Sequence, residues 1–157
     1  MKKILKTYNN GGNFDFAILV ARITIGALML THGLPKLAGL LSGGPVQFPP
    51  VFGLTPEISL GLAVFAEVFC SILIIIGLGT RFAVIPPAIT MMVAVFSILA
   101  ADTFSKKELA VFYLLSYVVL FFSGSGKYSA DALLIQKRGV KSYQPVNHQD
   151  PALSVYQ

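Results

Sequence analysis

Four long apolar stretches set the terms for this chain, at about residues 14–34, 58–78, 82–101 and 109–123. A helix of about 20 residues, rising 1.5 Å per residue, spans the ~30 Å hydrocarbon layer of a bilayer. The fourth stretch is shorter, but Glu108 and Gly124 at its ends suit the two interfaces. None of the four alternates as a barrel strand does, and lipid offers no other way than helix to satisfy the backbone. The expected fold class is an all-α membrane protein, an antiparallel four-transmembrane-helix bundle spanning residues 14–135. A polar N-terminus (1–13) and a polar tail (136–157) flank it.

Composition agrees. Apolar residues make up 55% of the chain and charged residues only 12%, with a mean hydropathy of +0.73. A soluble domain needs far more charge to cover its surface. The net charge of +5 comes from basic residues that, Arg22 apart, lie outside the apolar stretches, so they act as topology determinants and no nucleic-acid partner is expected. Cys70 is the single cysteine, which excludes an intrachain disulfide or a C-x-x-C pair. His32 and His148 are the only histidines, and His148 lies in the tail, so neither a bis-histidine haem nor a zinc cage is expected. No cofactor is expected to be bound by this chain alone. The first apolar stretch is too long for a signal peptide and lacks a convincing cleavage site, so it should remain as a helix.

With the N-terminus in the cytoplasm, Lys2, Lys3, Lys6, Arg81, Lys127, Lys137, Arg138 and Lys141 fall inside, and Lys36, Lys106 and Lys107 outside. That bias places both termini in the cytoplasm of a bacterial-type inner membrane. The boundaries carry local signals. Thr55-Pro56-Glu57 reads as an N-cap, a first-turn proline and an acid near the positive helix end. Ser105-Lys106-Lys107-Glu108 reads as a capping box, and Gly124-Ser125-Gly126 as a stop. Pro86-Pro87 should kink the third helix or delay its regular start. The connection 35–57 holds Leu40, Leu41, Val46, Phe48, Val51 and Phe52, too apolar for a solvated loop, and should lie over the outer end of the bundle.

The polar residues inside these stretches fall on stripes. Arg22, Gly26, Met29, Gly33 and Lys36 recur at helical spacing with His32 beside them. Ala63, Glu67, Cys70 and Ser71 share a face, as do Thr90, Ala94, Ser97 and Ala101, and then Tyr113, Ser116, Tyr117 and Gly124. Four such stripes buried together give a polar interior. Counting from the helix ends, Glu67 lies about 15 Å from the outer surface, Tyr117 at a similar level and Arg22 about 18 Å down. An isolated charge at mid-bilayer costs about 2.5–3.5 kcal/mol on insertion scales. An Arg22–Glu67 contact is therefore expected, with Tyr117 nearby. Either the pair locks helix register, or it lines a polar pocket with Tyr113 and His32 for a quinone, a proton or a small metabolite. Lys36 most simply snorkels to the outer interface.

Arg22-x-x-x-Gly26, His32-Gly33-x-x-Lys36, Glu67, Gly77-Leu78-Gly79-Thr80-Arg81, Gly124-Ser125-Gly126 and Ser129-x-Asp131 follow one another along the chain. In this ordered set the sequence resembles the DoxX family of small four-helix membrane proteins over about residues 14–135. Pro86-Pro87 and the long tail depart from the family's pattern. The resemblance implies a membrane subunit associated with quinone-linked or oxidative-stress redox complexes, although distant relatives act as chaperones or cargo adaptors. Three functions follow as expectations. The first is an accessory subunit of a membrane redox or respiratory complex, with a quinone pocket and any metal or flavin held by partners. The second is a non-catalytic scaffold or assembly factor. The third is a small-molecule or ion carrier, though no inverted repeat or broken helix pair is evident. The expected partners are the lipid bilayer and other membrane subunits, with the C-terminal tail as a contact.

Overall fold

The structure, a computed structural model, describes residues 11–137. Lys2, Lys3, Lys6, Arg138, Lys141, His148 and the tail contact expected of 138–157 lie outside the described residues. Among those described there is no strand. Helix α1 runs Gly11–Leu41, α2 Pro56–Ile76, α3 Thr80–Ile98, α4 Phe104–Ser123 and α5 Ala130–Lys137. Three of them, α1, α2 and α3, are long and apolar enough to cross a membrane. Helix α4 carries Lys106, Lys107 and Glu108 in its first turns and does not meet that measure.

Local chemistry explains most boundaries. Thr55 caps α2 as its spelling predicts, accepting from the Ile58 N–H at 3.4 Å, with Pro56 and Glu57 in the first turn. Gly77 closes α2 in the left-handed conformation, φ 76°, and the Leu78 N–H reaches back to the Leu73 carbonyl. The proline pair acts as expected: a first turn, Thr80–Ala83, gives way at Val84, and the helix resumes at Ile85 with Pro86 and Pro87 inside its opening turn. Several boundaries differ from the sequence reading. Helix α1 continues through Pro35 to Leu41, because an internal proline removes one backbone bond without forbidding the next turn. Helix α4 begins at Phe104 after Thr103, so Ser105 lies inside the first turn and is not the cap. Helix α5, capped by Ser129 through the Ala132 N–H at 3.2 Å, crosses the expected boundary at residue 136.

Helix α1 packs along α2, and α3 along α4; the two pairs meet through α1–α4 and α2–α3 contacts. Glycine permits the first of these. A Cβ on Gly26 would lie 2.5 Å from Ile75, and one on Gly33 would lie 2.7 Å from Val68 and 3.0 Å from the Glu67 backbone. Rising residue numbers on α1 meet falling numbers on α2, so these two helices are antiparallel. The stripe expected on α1 is the buried one: Arg22, Gly26, Met29 and Gly33 are buried and Lys36 half-buried, while His32 beside them is exposed. So are Ala63, Glu67, Cys70 and Ser71 on α2, and Tyr113, Tyr117 and Gly124 on α4, with Ser116 half-buried. On α3 the expectation fails in its second half. Ser97 and Ala101 are exposed, and Val84, Pro87 and Met91 face the core. The break at Val84 and a π-helical turn at Ala94–Ile98 rotate that helix away from a simple 3.6-residue register. The outer faces are apolar, with Phe82, Phe96, Phe112 and Phe122 all exposed.

Candidate functional site

Helix α2 changes winding at Phe65–Phe69, a π-helical segment in which the Cys70 N–H bonds back to the Phe65 carbonyl. Helix α3 does the same at Ala94–Ile98, where the Leu99 N–H reaches Ala94 at 2.9 Å. Each π turn inserts an extra residue, widens the helix and is a common companion of functional sites. Glu67 sits in the middle of the first one and is 1% exposed.

The partner of Glu67 is Lys36. Its Nζ donates to Glu67 Oε1 at 2.5 Å and lies 5.8 Å from the centroid of the Phe48 ring. The expected Arg22–Glu67 contact is not formed. Arg22 donates instead to the backbone carbonyls of Ser125 and, at 2.8 Å, of Tyr128, with Ile75 at 3.5 Å. Side-chain direction explains the exchange. Helical side chains lean toward the helix N-terminus. Arg22 therefore reaches toward the start of α1, away from Glu67. Lys36 leans back down α1 toward mid-helix, and Glu67, on an antiparallel helix, leans up toward Lys36. The depth count also began at Leu34, whereas α1 ends at Leu41, which puts Arg22 about 28 Å below the true end. Lys36 is accordingly one wall of an interior pair and not a purely interfacial charge.

Two cavities meet at this pair. The first, about 400 Å³, is bounded by Phe48, Val51 and Phe52 from the 42–55 connection, by Leu62 and Ala63 of α2 and by Ile89, Thr90 and Met91 of α3. Lys36 and Glu67 form its polar end. The connection lies against the helices, as its apolar residues predict, and the buried Ser59 accepts from the Val51 N–H at 3.1 Å to pin it. The second cavity, about 190 Å³, shares Lys36, Glu67, Met91 and Ala94 and adds His32, Lys106 and Tyr113. His32 and Tyr113 meet edge to face at 5.9 Å, and Tyr113 stacks on Tyr117 at 6.3 Å. The structure thus brings together Glu67, His32, Tyr113 and Lys36. It places Tyr117 beyond them, against a separate crevice with Val84 and Ala88, and puts Arg22 elsewhere.

A larger recess, about 530 Å³, lies at the opposite end among Thr80, Arg81, Ser123–Gly126 and Asp131. There both Asp131 oxygens accept from the Gly79 N–H at 3.0 Å, and Arg22 ties the Ser125–Tyr128 turn to α1. These groups hold turns together. Among the described residues no three His, Cys, Asp or Glu side chains cluster as metal ligands; the Lys36–Glu67 site offers an ammonium and a carboxylate, with His32 and Tyr113 beside them, and an apolar chamber.

A family model described as DoxX matches residues 17–100, more than half of the chain. The chain belongs to the DoxX family. No curated protein and no solved structure matches it. The matched span of this DoxX protein contains Arg22, His32, Lys36, Glu67 and both π-helical turns, while Tyr113 and the Gly124–Asp131 region lie beyond it. The residue that sequence reasoning placed wrongly, Lys36, carried a usable signal. It continues the Arg22–Gly33 stripe at the next helical step, the face that packs on Glu67. The apolar residues of the 42–55 connection signalled the cavity wall they form, whereas the π turns had no comparable signal.

Proposed function

We propose that this DoxX protein is an accessory subunit of a membrane redox or respiratory complex, binding a quinone in the chamber that ends at Lys36 and Glu67. In this reading residues 14–135 form an antiparallel bundle of four membrane-crossing helices in a bacterial-type inner membrane. Both ends of that domain face the cytoplasm, and the 42–55 connection lies at the outer surface. The single observation that carries the reading is that the Lys36–Glu67 ion pair, with its carboxylate 1% exposed, lines a mostly apolar cavity. Intramembrane charges are costly and cluster at functional sites, and ligand sites are mostly apolar with a few placed polar groups. A quinone has that same division: an apolar ring and tail, with oxygens that accept hydrogen bonds. The Lys36 ammonium supplies the donor, and the surrounding Phe48, Val51, Leu62, Ile89 and Met91 supply the apolar wall. Electron-carrying groups would belong to partner subunits.

A photoreactive quinone analogue tests this directly. Irradiation of the full chain in lipid nanodiscs should label peptides covering residues 46–54 or 85–98, and unmodified quinone should compete. Labelling only of the outward faces around Phe112 and Phe122 would sink the quinone reading. Purification in mild detergent tests the assembly, since oxidoreductase subunits should be recovered in fixed stoichiometry. Recovery of the chain alone would favour the second reading, a non-catalytic scaffold. The observation on that side is Arg22, a buried charge whose bonds all go to backbone carbonyls.

A further inference from the structure

We infer that the ligand of the Lys36–Glu67 chamber presents a hydroxyl group to Glu67, so that the site prefers a hydroquinone to the corresponding quinone. This rests on the reading of the chamber as a quinone site and adds which redox form it holds.

Donors and acceptors do not balance where Lys36 and Glu67 line the chamber. An ionised carboxylate only accepts, and a lysine ammonium only donates, with three N–H groups. Glu67 Oε1 takes one of those N–H groups from Lys36. Glu67 Oε2, on a side chain 1% exposed, has no hydrogen-bond partner among the described residues. Thr90 donates to the Pro86 carbonyl at 3.1 Å, Ser59 accepts from the Val51 N–H, and neither of them nor Tyr117, whose buried hydroxyl is also unpartnered, bonds to Oε2. Lys36 has spare donors, and its side chain remains one-third exposed beside Phe48. A buried acceptor left unmatched is unfavourable, so the chamber is complementary to a group that donates to Glu67 while accepting from Lys36.

A quinone carbonyl can only accept. It would engage Lys36 and leave Oε2 as it is. A phenolic hydroxyl does both, and its hydrogen bond goes to a charged acceptor in surroundings of low polarity, where such bonds are strong. The added bond corresponds to about a tenfold or greater gain in affinity for the reduced form. An apolar ring substituted with methyl groups fits the Val51, Leu62, Ile89 and Met91 walls in either redox state, so the difference isolates the hydroxyl.

The experiment uses the full chain in phospholipid nanodiscs, with oxygen excluded. Calorimetric titrations compare trimethylhydroquinone, trimethylbenzoquinone and the dimethyl ether of the hydroquinone. The expected order is hydroquinone at least about tenfold tighter than quinone, with the ether no better than the quinone. Glu67→Gln should abolish the preference, because its amide brings a donor of its own. Should that variant fail to fold, the comparison of three ligands on the unaltered chain still decides. Quinone binding as tightly as hydroquinone, or the ether as tightly as the hydroquinone, overturns the inference and leaves the quinone site standing. Binding of none of the three overturns both.

Discussion

Lys36 Nζ lies 2.5 Å from Glu67 Oε1, joining a side chain that is one-third exposed to one that is 1% exposed, just where Gly33 lets α1 touch the α2 backbone. The carboxylate cannot turn to water, so its charge is balanced by this ammonium alone among the described residues. Removing one partner of a fully buried pair costs roughly 3–5 kcal/mol, and the partial exposure of Lys36 lowers that here.

Lys36→Met is therefore expected to destabilise the protein by about 2–3 kcal/mol, since it strands Glu67. Lys36→Met combined with Glu67→Gln should recover most of that loss, because an uncharged amide costs less to bury. Thermal unfolding of the single and double variants in one detergent measures the coupling. Strictly additive losses would mean that the two groups do not interact.

Arg22 makes a different prediction. Its guanidinium spans the carbonyls of Ser125 and Tyr128, which sit in the turn between α4 and α5. Arg22→Met should cost about 2–4 kcal/mol by leaving both carbonyls without a donor. Arg22→Lys should restore less than half, because one ammonium cannot reproduce the planar fork. The turn carries Lys127, whose side chain is exposed, so trypsin reports on it. Cleavage after Lys127 should speed up in Arg22→Met, and an unchanged rate would show that the turn holds itself.

The stripe of Arg22, Gly26, Met29, Gly33 and Lys36 was legible in the sequence because apolar surroundings make polar and small residues conspicuous at helical spacing. So were the Thr55 cap, the proline break in α3 and the glycine stop at Gly124, each of which acts on its own stretch of chain. The pairing of charges was not legible. It depended on where α1 ends, and Pro35 reads as a terminus although the helix passes through it to Leu41. It depended also on the lean of side chains toward the helix start, which sends Arg22 and Lys36 to partners a simple depth count does not find. The π turns at Phe65–Phe69 and Ala94–Ile98 leave no mark on the spacing of residues.

Close approach at Gly33 can be separated from helix propensity. A methyl group there would meet Val68 Cγ2 at 2.7 Å and Glu67 Cβ at 3.0 Å, whereas one on Gly61 of α2 meets nothing within 4 Å. Gly33→Ala should destabilise by about 1–3 kcal/mol through forced separation of α1 and α2. Gly61→Ala should be neutral or gain up to about 1 kcal/mol, since alanine favours the helix. Equal effects at both positions would remove close packing as the role of Gly33.

Orientation in the membrane can be read with single cysteines. The native Cys70 is 2% exposed and should resist a maleimide that cannot cross membranes. Gln47→Cys places a thiol on the exposed 42–55 connection, and Lys127→Cys places one on the exposed turn after α4. Loss of the 3.6 Å Lys127–Asp15 pair is tolerable, because Lys127 is itself exposed and the residue 127 N–H still donates to Asp15 Oδ1. The lysine and arginine bias predicts that intact cells label Gln47→Cys and spare Lys127→Cys until the membrane is opened. The reverse pattern would invert the protein and place the Lys36–Glu67 chamber nearer the cytoplasm. Labelling of both without opening the membrane would contradict four membrane crossings, because residues 47 and 127 are then on one side.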